Sequence, residues 1–339
     1  METRPLGRTG LHVSTLSFGT MSFGGVGSFA AVAAQDGDEA RTLVDQCIDA
    51  GVNLFDTADI YSYGRAEEIL GRALGEKRSR VVVATKVHAR MSEAPGDVGL
   101  SRDHIVRACE ASLRRLGTDW IDLYQAHGFD ALVPLEETAR AFEELVRAGK
   151  VRFVGCSNFG GWQLGRALAT AERLGVARYE ALQAYYSLVA RELEHELLPA
   201  CRDEGLGVLV WSPLAFGLLA GRQRRGERRD DGRVAAWGTP GAIDEQSWAV
   251  VDEVRAIAEA RGVAPAEVAL NWLVGRAGVT SVIVGARNAR QLAENLHAAS
   301  WSLGADERAR LDRVSARPLP YPYWHQRQFN GERMPPSPG

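Results

Sequence analysis

One phrase of hydrophobic and polar positions recurs along the chain: an amphipathic stretch closed by glycine, then a short apolar run. In residues 38–51, DEARTLVDQCIDAG, the apolar positions Ala40, Leu43, Val44, Cys47 and Ile48 fall at i, i+3, i+4, i+7 and i+8. That is the spacing of a helix with one buried face, and Gly51 stands where a helix C-cap belongs. The same closure precedes an apolar run at Gly51, Gly75, Gly117, Gly149, Gly175, Gly205 and Gly278. These seven junctions and a first strand at 15–18 predict eight strands alternating with helices. Such alternation implies right-handed parallel crossovers, and eight units imply an α/β chain closed into a (β/α)8 TIM barrel rather than an open sheet. Residues 3–14, around Gly7 and Gly10, read as a hairpin ahead of the barrel. Two connections break the rhythm. Residues 216–246 are rich in arginine and glycine, and the tail 317–339 is proline-rich and aromatic without a helical period, so it is expected as a loop over the active-site mouth.

A parallel barrel carries its chemistry at the C-terminal ends of its strands. The residues at those ends are Gly19 and Thr20, Asp56, Lys86, His127, Ser157 and Asn158, Gln183, Trp211 and Ser212, and Gly285, whereas the strand interiors read as apolar. The stretch 56–71, DTADIYSYGRAEEILG, adds Tyr61 in the loop five residues after Asp56. Tyrosine is a poor acid, with an unperturbed pKa of ~10, so a proton-transferring Tyr61 requires a cation beside its phenolate. Lys86, at the end of the run 81–85, supplies one, and Asp56 is positioned to hold that ammonium. His127 ends the run 121–126.

Length and composition narrow the picture. At 339 residues the chain fits two average domains or one barrel of ~250 residues with extensions. The repeated phrase selects one domain, with the hairpin at 3–14, the barrel at 15–300 and the tail at 317–339. A net charge of -3 argues against a nucleic-acid binder carried by bulk charge, so the expected partner is a small molecule, and self-association stays open. Cys47, Cys109, Cys156 and Cys201 form no CxxC pair and read as core thiols rather than a disulfide framework or metal site. The N-terminus is charged from its second residue and lacks the apolar core of a secretory signal. The longest uncharged apolar stretch, 205–221, contains Trp211, Ser212 and Pro213 and falls below the ~18 residues of a spanning helix. A cytoplasmic enzyme is the expectation, with no membrane association.

Asp56, Tyr61, Lys86 and His127, in this order and strand-end context, resemble the tetrad of the aldo-keto reductase superfamily. The likeness runs from RPLGRTGLHVSTLSFGTMSFGG to AENL, nearly the whole chain. It implies reduction of aldehyde or ketone carbonyls with NADPH/NADP+ as cofactor, Tyr61 as general acid, Lys86 lowering its pKa, Asp56 fixing Lys86 and His127 orienting the carbonyl. VGCSNF is similar to the family's GFSNF or GVSNF, which assigns Ser157, Asn158 and later Gln183 to the nicotinamide carboxamide. Trp211 in VLVWSPL takes the place of an aromatic that stacks on the nicotinamide, with Ser212, Leu214 and Gly217 after it and Gly19 and Thr20 at the first strand end. VIVGARNARQLAENL resembles the adenine-end motif and assigns Gly285, Arg287, Gln291, Glu294 and Asn295, where a strand runs into a helix N-terminus suited to anions. Arg287, with Arg222, suggests a clamp on a 2'-phosphate, since guanidinium grips phosphate bidentately. NADPH is then preferred over NADH.

The chain departs from the family at Ala66, where a serine is usual at a helix start, and in HGFD, which replaces bulkier residues after the histidine. A competing signal, Gly25-Val-Gly27-Ser-Phe-Ala30, matches a dinucleotide-binding GxGxxG/A turn. It is set aside because Gly37 interrupts the stretch between that turn and a helix beginning near Asp38, and Asp56 comes later than the ~20 residues such a site expects. The same residues would serve an NADP-dependent dehydrogenase oxidising a sugar or secondary alcohol, or a cofactor-sensing regulatory barrel with little turnover. Fold and tetrad together do not name the substrate.

Overall fold

Eight parallel strands close on themselves in a computed structural model that describes residues 1–33, 35–221, 223, 225–226, 238 and 243–333. An antiparallel hairpin, β1 (Thr3–Pro5) and β2 (His12–Ser14), precedes them. The barrel strands are β3 (Leu16–Gly19), β4 (Leu54–Asp56), β5 (Val82–Val87), β6 (Ile121–Ala126), β7 (Val151–Ser157), β8 (Tyr179–Tyr185), β9 (Gly207–Trp211) and β10 (Ser281–Val284), with β10 pairing β3 to complete the ring. Helices lie between successive strands, as the periodicity predicts. All seven junction glycines hold positive φ, from 47° at Gly75 to 90° at Gly278, a conformation that costs L residues with a Cβ. Gly117, Gly175 and Gly205 are themselves the left-handed C-caps of their helices. The helix Gly37–Asp49 instead caps at Ala50, with Gly51 one residue beyond, and it starts at Gly37 because Asp36 caps its N-terminus.

The strand bounds correct the sequence reading where ladder pairing extends a run. β5 continues through Lys86 and Val87 because Lys86 pairs with Gln125 and Val87 with Ala126. Lys86 and Asp56 are thus strand residues whose side chains reach into the barrel. Nor are the interiors purely apolar: Thr85, Asp122, Gln125 and Gln183 are buried within strands.

Two apolar layers hold the fold. Inside the ring, Leu54, Ala84, Leu123, Ala181 and Leu209 pack with Leu6 and Val13 of the hairpin segment. The hairpin therefore plugs the N-terminal end, pressed so closely that a Cβ on Gly7 would collide with the backbone carbonyl of Glu180. Outside the ring, the second faces of the strands pack against the helices, as Val83 and Tyr124 do with Ile69, Cys109 and Phe142. With one end sealed, the site can open only at the C-terminal end. The four cysteines are buried and unpaired, and burial pushes the Cys201 thiol up to about 12.

The tail differs from the loop expected of it. Residues Tyr323–Asn330 form a helix, started directly after Pro322, where a missing N–H is no loss. Tyr323 stacks on His195 at 5.6 Å between ring centroids and Arg317 pairs with Asp244, so the tail leans on the helical layer. None of its described residues lines the cavity at the open end of the barrel. Among the described residues, no helix is long and apolar enough to cross a membrane.

Candidate active site

Three neighbouring strand ends build the centre. β4 delivers Asp56, β5 delivers Lys86, and β6 is followed directly by His127, whose backbone N–H donates to the Val87 carbonyl at 2.8 Å. Tyr61 enters from the loop after β4. That loop turns sharply through left-handed backbone at Ser62 and Tyr63, φ 48° and 51°, and the Ser62 hydroxyl pins it by donating to the Phe23 carbonyl at 2.8 Å. Lys86 Nζ, wholly buried, donates to Asp56 Oδ1 at 2.6 Å, to the Thr57 carbonyl at 2.7 Å and to Tyr61 Oη at 3.4 Å. All three ammonium donors are thereby used.

Burial drives the Lys86 pKa down, but the Asp56 carboxylate and then Tyr61 outweigh it and leave the ammonium above the ordinary lysine value. The ion is retained because its compensation is built in. His127 has no such compensation. Burial first, and then the charges of Lys86 and His88, hold its pKa well below the ordinary histidine range, so the ring is neutral. Its Nδ1 is buried without a hydrogen-bond partner among the described residues. An unpaired lone pair there costs less than an unpaired N–H, which puts the ring proton on Nε2. The His127 and Tyr61 rings meet edge to face, 5.9 Å apart. A neutral N–H donor and a phenol with a buried cation behind it can together receive a carbonyl oxygen.

A cavity of about 470 Å³ opens onto this cluster, within the size range of small-molecule sites. It brings together most of the residues singled out in the sequence. Gly19, Asp56, Tyr61 and His127 line its inner end. Ser157, Asn158, Gln183 and Trp211 form one wall, Ser212, Leu214 and Gly217 the next, and Gly285, Arg287, Gln291 and Asn295 the far end. Lys86 lies behind Asp56 and Tyr61 rather than on the surface of the cavity. Two expected residues are not brought in. Thr20 is buried, its hydroxyl donating to the Asp56 backbone carbonyl at 3.2 Å, and Glu294 faces Arg290 at 3.0 Å; neither lines the cavity. Arg222 lies outside the described residues.

Asn158 takes left-handed backbone, φ 59°, and ties two strand ends together: its amide donates to the His127 carbonyl and its Oδ1 accepts from Trp211 Nε1, both at 3.0 Å. Trp211 also stacks on Tyr185, 4.9 Å between centroids. Gln183 donates its amide to Asp56 Oδ2 at 2.8 Å, leaving its Oε1 to meet a ligand. Ser157 and Ser212 each line the cavity with a buried hydroxyl that has no partner among the described residues. Buried hydroxyls are rarely left so, and a ligand rich in amide, hydroxyl and phosphate groups satisfies them, so a dinucleotide fits this wall. At the far end, Asn288 caps the helix Ala289–His297 by accepting from the Gln291 N–H. Gln291 Oε1 returns to the Arg287 N–H at 2.8 Å. The Arg287 guanidinium has no carboxylate partner among the described residues.

Sequence reasoning missed part of the site. Met21, Phe29, Val32 and Ile60 line the cavity, with the Phe29 ring 6.0 Å from that of Tyr61, and the loop carrying the first three has no period from which to find them. Gln125 did carry a signal, a lone amide inside the run IDLYQA. It lies fully buried, its amide 3.5 Å from Asp56 Oδ2.

Comparison with known proteins agrees with this geometry. The family model described as Aldo/keto reductase family matches residues 15–316. The chain is 40% identical over 318 residues to an uncharacterized oxidoreductase of Bacillus subtilis (strain 168), covering 89% of this chain and 92% of that one. It is 37% identical over 310 residues to a probable voltage-gated potassium channel subunit beta of Arabidopsis thaliana, covering 88% and 91%. Versiconal hemiacetal acetate reductase of Aspergillus parasiticus is 35% identical over 296 residues, covering 80% and 85%. With the family match running through every strand of the barrel, the chain belongs to the aldo/keto reductase family.

Proposed function

We propose that the protein reduces aldehyde or ketone carbonyls to alcohols with NADPH, Tyr61 acting as the proton donor. The observation that carries the reading is the buried Lys86 ammonium shared between Asp56 Oδ1 at 2.6 Å and Tyr61 Oη at 3.4 Å, at the foot of the cavity. The nicotinamide, when bound, supplies the hydride. The chain's own residues manage position and the proton. Tyr61 gives its hydroxyl proton to the carbonyl oxygen, and the nearby cation stabilises the phenolate left behind. Asp56 anchors that cation so that it cannot swing into the cavity. His127, neutral, donates from Nε2 to the same oxygen and orients it.

Ser157, Asn158 and Gln183 would hold the carboxamide, Trp211 would cover the ring, and Gly285, Arg287, Gln291 and Asn295 the adenine end. Preference for NADPH over NADH follows from the Arg287 guanidinium, without a described carboxylate partner and beside a helix N-terminus. The substrate partner is a small carbonyl compound, and Met21, Phe29, Val32 and Ile60 add apolar surface to the cavity lining.

The test is an NADPH-oxidation screen across aldehydes, ketones, quinones and sugars, repeated with NADH and with Tyr61→Phe. The variant is expected to lose roughly 10²- to 10⁴-fold in carbonyl reduction, the usual range for a positioned proton donor, while fluorescence titration shows NADPH binding nearly unchanged. Loss of cofactor affinity equal to the loss of rate would sink the role given to Tyr61. A second reading has one observation in its favour, the likeness to the probable channel subunit beta. A regulatory barrel of that kind would bind NADPH and show negligible turnover on every substrate in the screen. Faster turnover with NADP+ and a sugar or secondary alcohol would assign the oxidising direction instead.

A further inference from the structure

Asp56 is more elaborately held than a lysine anchor requires. A buried carboxylate has about four acceptor positions to fill. Lys86 occupies Oδ1, while Oδ2 faces two amides from other strands: Gln183 Nε2 on β8, across the barrel, at 2.8 Å and Gln125 Nε2 on β6, beyond β5, at 3.5 Å. Gln125 lies directly opposite Lys86 in the β5–β6 register. Among the described residues Asp56 is the only partner of its side chain, and Gln125 Oε1 is buried with none. Turning the amide over would set that oxygen against the Asp56 carboxylate, so Asp56 itself decides the orientation. The barrel also makes room for it. Gly155, next to Gln125 in the β6–β7 pairing, has no side chain, and a Cβ there would meet Gln125 Cγ at 3.2 Å and the Ala181 carbonyl at 3.0 Å. A leucine at Gln125 would fill the same interior without leaving a polar atom unpaired, so the amide is unexplained by packing.

We propose that Gln125 is a positioning residue of this site: with Gln183 it holds Oδ2 of Asp56, which keeps Oδ1 turned to Lys86 and the ammonium within reach of Tyr61. The inference rests on the reading of Asp56, Lys86 and Tyr61 as one proton-handling unit. Without the amide, carboxylate charge concentrates on Oδ1, the ammonium is drawn toward Asp56, and less of its field reaches the phenol. Ionisation of Tyr61 then moves to higher pH. Other titratable groups around the unit are His127 beyond Tyr61, His88 after β5, Tyr124 next to Gln125 in β6, and Asp59, Glu67 and Arg115. None of them hydrogen-bonds the Gln125 side chain, whose one partner among the described residues is Asp56, so a shift caused by substitution there travels through Asp56.

The experiment reads Tyr61 without turnover. Tyrosinate absorbance is titrated in wild type, Gln125→Met and Gln125→Glu, each minus its own Tyr61→Phe counterpart, and thermal unfolding is followed in parallel. Methionine keeps length and removes the donor; glutamate adds a negative charge facing Asp56. The expected order of midpoints is wild type, then Met higher by about half a unit, then Glu higher by about one unit or more. Gln183→Met, which strips the same oxygen of its other amide, is expected to shift in the same direction. If Gln125→Glu does not fold, Gln125→Met and Gln183→Met still decide. Midpoints coincident with wild type, with or without a drop in thermal stability, overturn the proposal and leave Gln125 a space-filling residue. Failure of the functional reading shows elsewhere, as carbonyl reduction that survives Tyr61→Phe.

Discussion

Lys86 is the residue on which the proposed chemistry turns, because its ammonium reaches Tyr61 Oη. An opposite charge within ~4–6 Å shifts an acid by ~1–3 units. Lys86→Met is therefore expected to raise the pH at which alcohol oxidation gains its base form by about one unit or more, and to lower the rate by roughly a hundredfold or more. A basic limb that stays in place would show that another group sets the field. Asp59 offers a test of stability at the same scale. Burial, reinforced by Glu67, holds its carboxyl well above the ordinary carboxylate range, against the opposing pull of the Ile60 N–H, Arg115 and Lys86. Its Oδ2 is buried without a partner among the described residues. The native state keeps a proton that the unfolded chain releases near pH ~3.9, so this group's contribution is full below that pH and is lost as pH rises toward the native value. Asp59→Asn keeps an acceptor for the Ile60 N–H and removes the titration. It is expected to unfold at higher denaturant concentration than wild type at pH 7, with the advantage shrinking toward pH 4. A difference independent of pH would mean that Asp59 is ionised in the native protein.

At the scale of elements, the proposed preference for NADPH rests on the turn from β10 into the helix Ala289–His297. Its end is preorganised, since Asn288 caps the helix and Gln291 fixes the Arg287 backbone. A 2'-phosphate there would meet a guanidinium without a described carboxylate partner and the positive end of a helix. Hydrogen bonds to charged groups contribute about 1.5–3 kcal/mol, and about 1.4 kcal/mol is a factor of ten in affinity. Arg287→Ala is thus expected to weaken NADPH about ten- to a hundredfold and to leave NADH nearly unchanged. Dissociation constants for both cofactors at one ionic strength decide it, and parallel weakening would mean that Arg287 only supports the loop. The mouth also concentrates backbone strain. Ser62, Asn158, Ser212 and Phe216 all hold left-handed φ, which non-glycine residues adopt only where surrounding contacts enforce it.

For the whole molecule, the sealed N-terminal end separates stability from chemistry. Leu6 is fully buried in the inner layer with Leu54, Leu123 and Leu209, at the opposite end from the cavity. Leu6→Ala is expected to cost about 2–5 kcal/mol, the usual range for a core leucine, measured by urea unfolding, with the NADPH dissociation constant within about twofold of wild type. A large change in cofactor affinity would show that the plug shapes the mouth.

The amino-acid order by itself determined the architecture, because the features that define it are local. Helical spacing, a glycine at each helix end and a short apolar run after it recur often enough to count eight strands, and a parallel barrel then assigns function to strand ends. Asp56, Tyr61, Lys86 and His127 were singled out in this way, each from its place at a strand end or in the loop just beyond one. What tertiary structure alone decided were relations across the ring. Gln183 turns its amide to Asp56 because β4 and β8 face each other through the interior, and Gln125 joins them where Gly155 leaves space. Thr20 sits at a strand end yet turns away from the cavity, since a side chain's direction follows from the pleat and tilt of a closed sheet. Phe29 and Val32 reach the site from a loop whose path is set by distant contacts, such as the Gln35 amide on the Ala286 carbonyl, 251 residues away. Local periodicity records which elements form. Which polar groups meet in a dry interior depends on closure of the barrel, where strands far apart in the chain come within hydrogen-bonding distance.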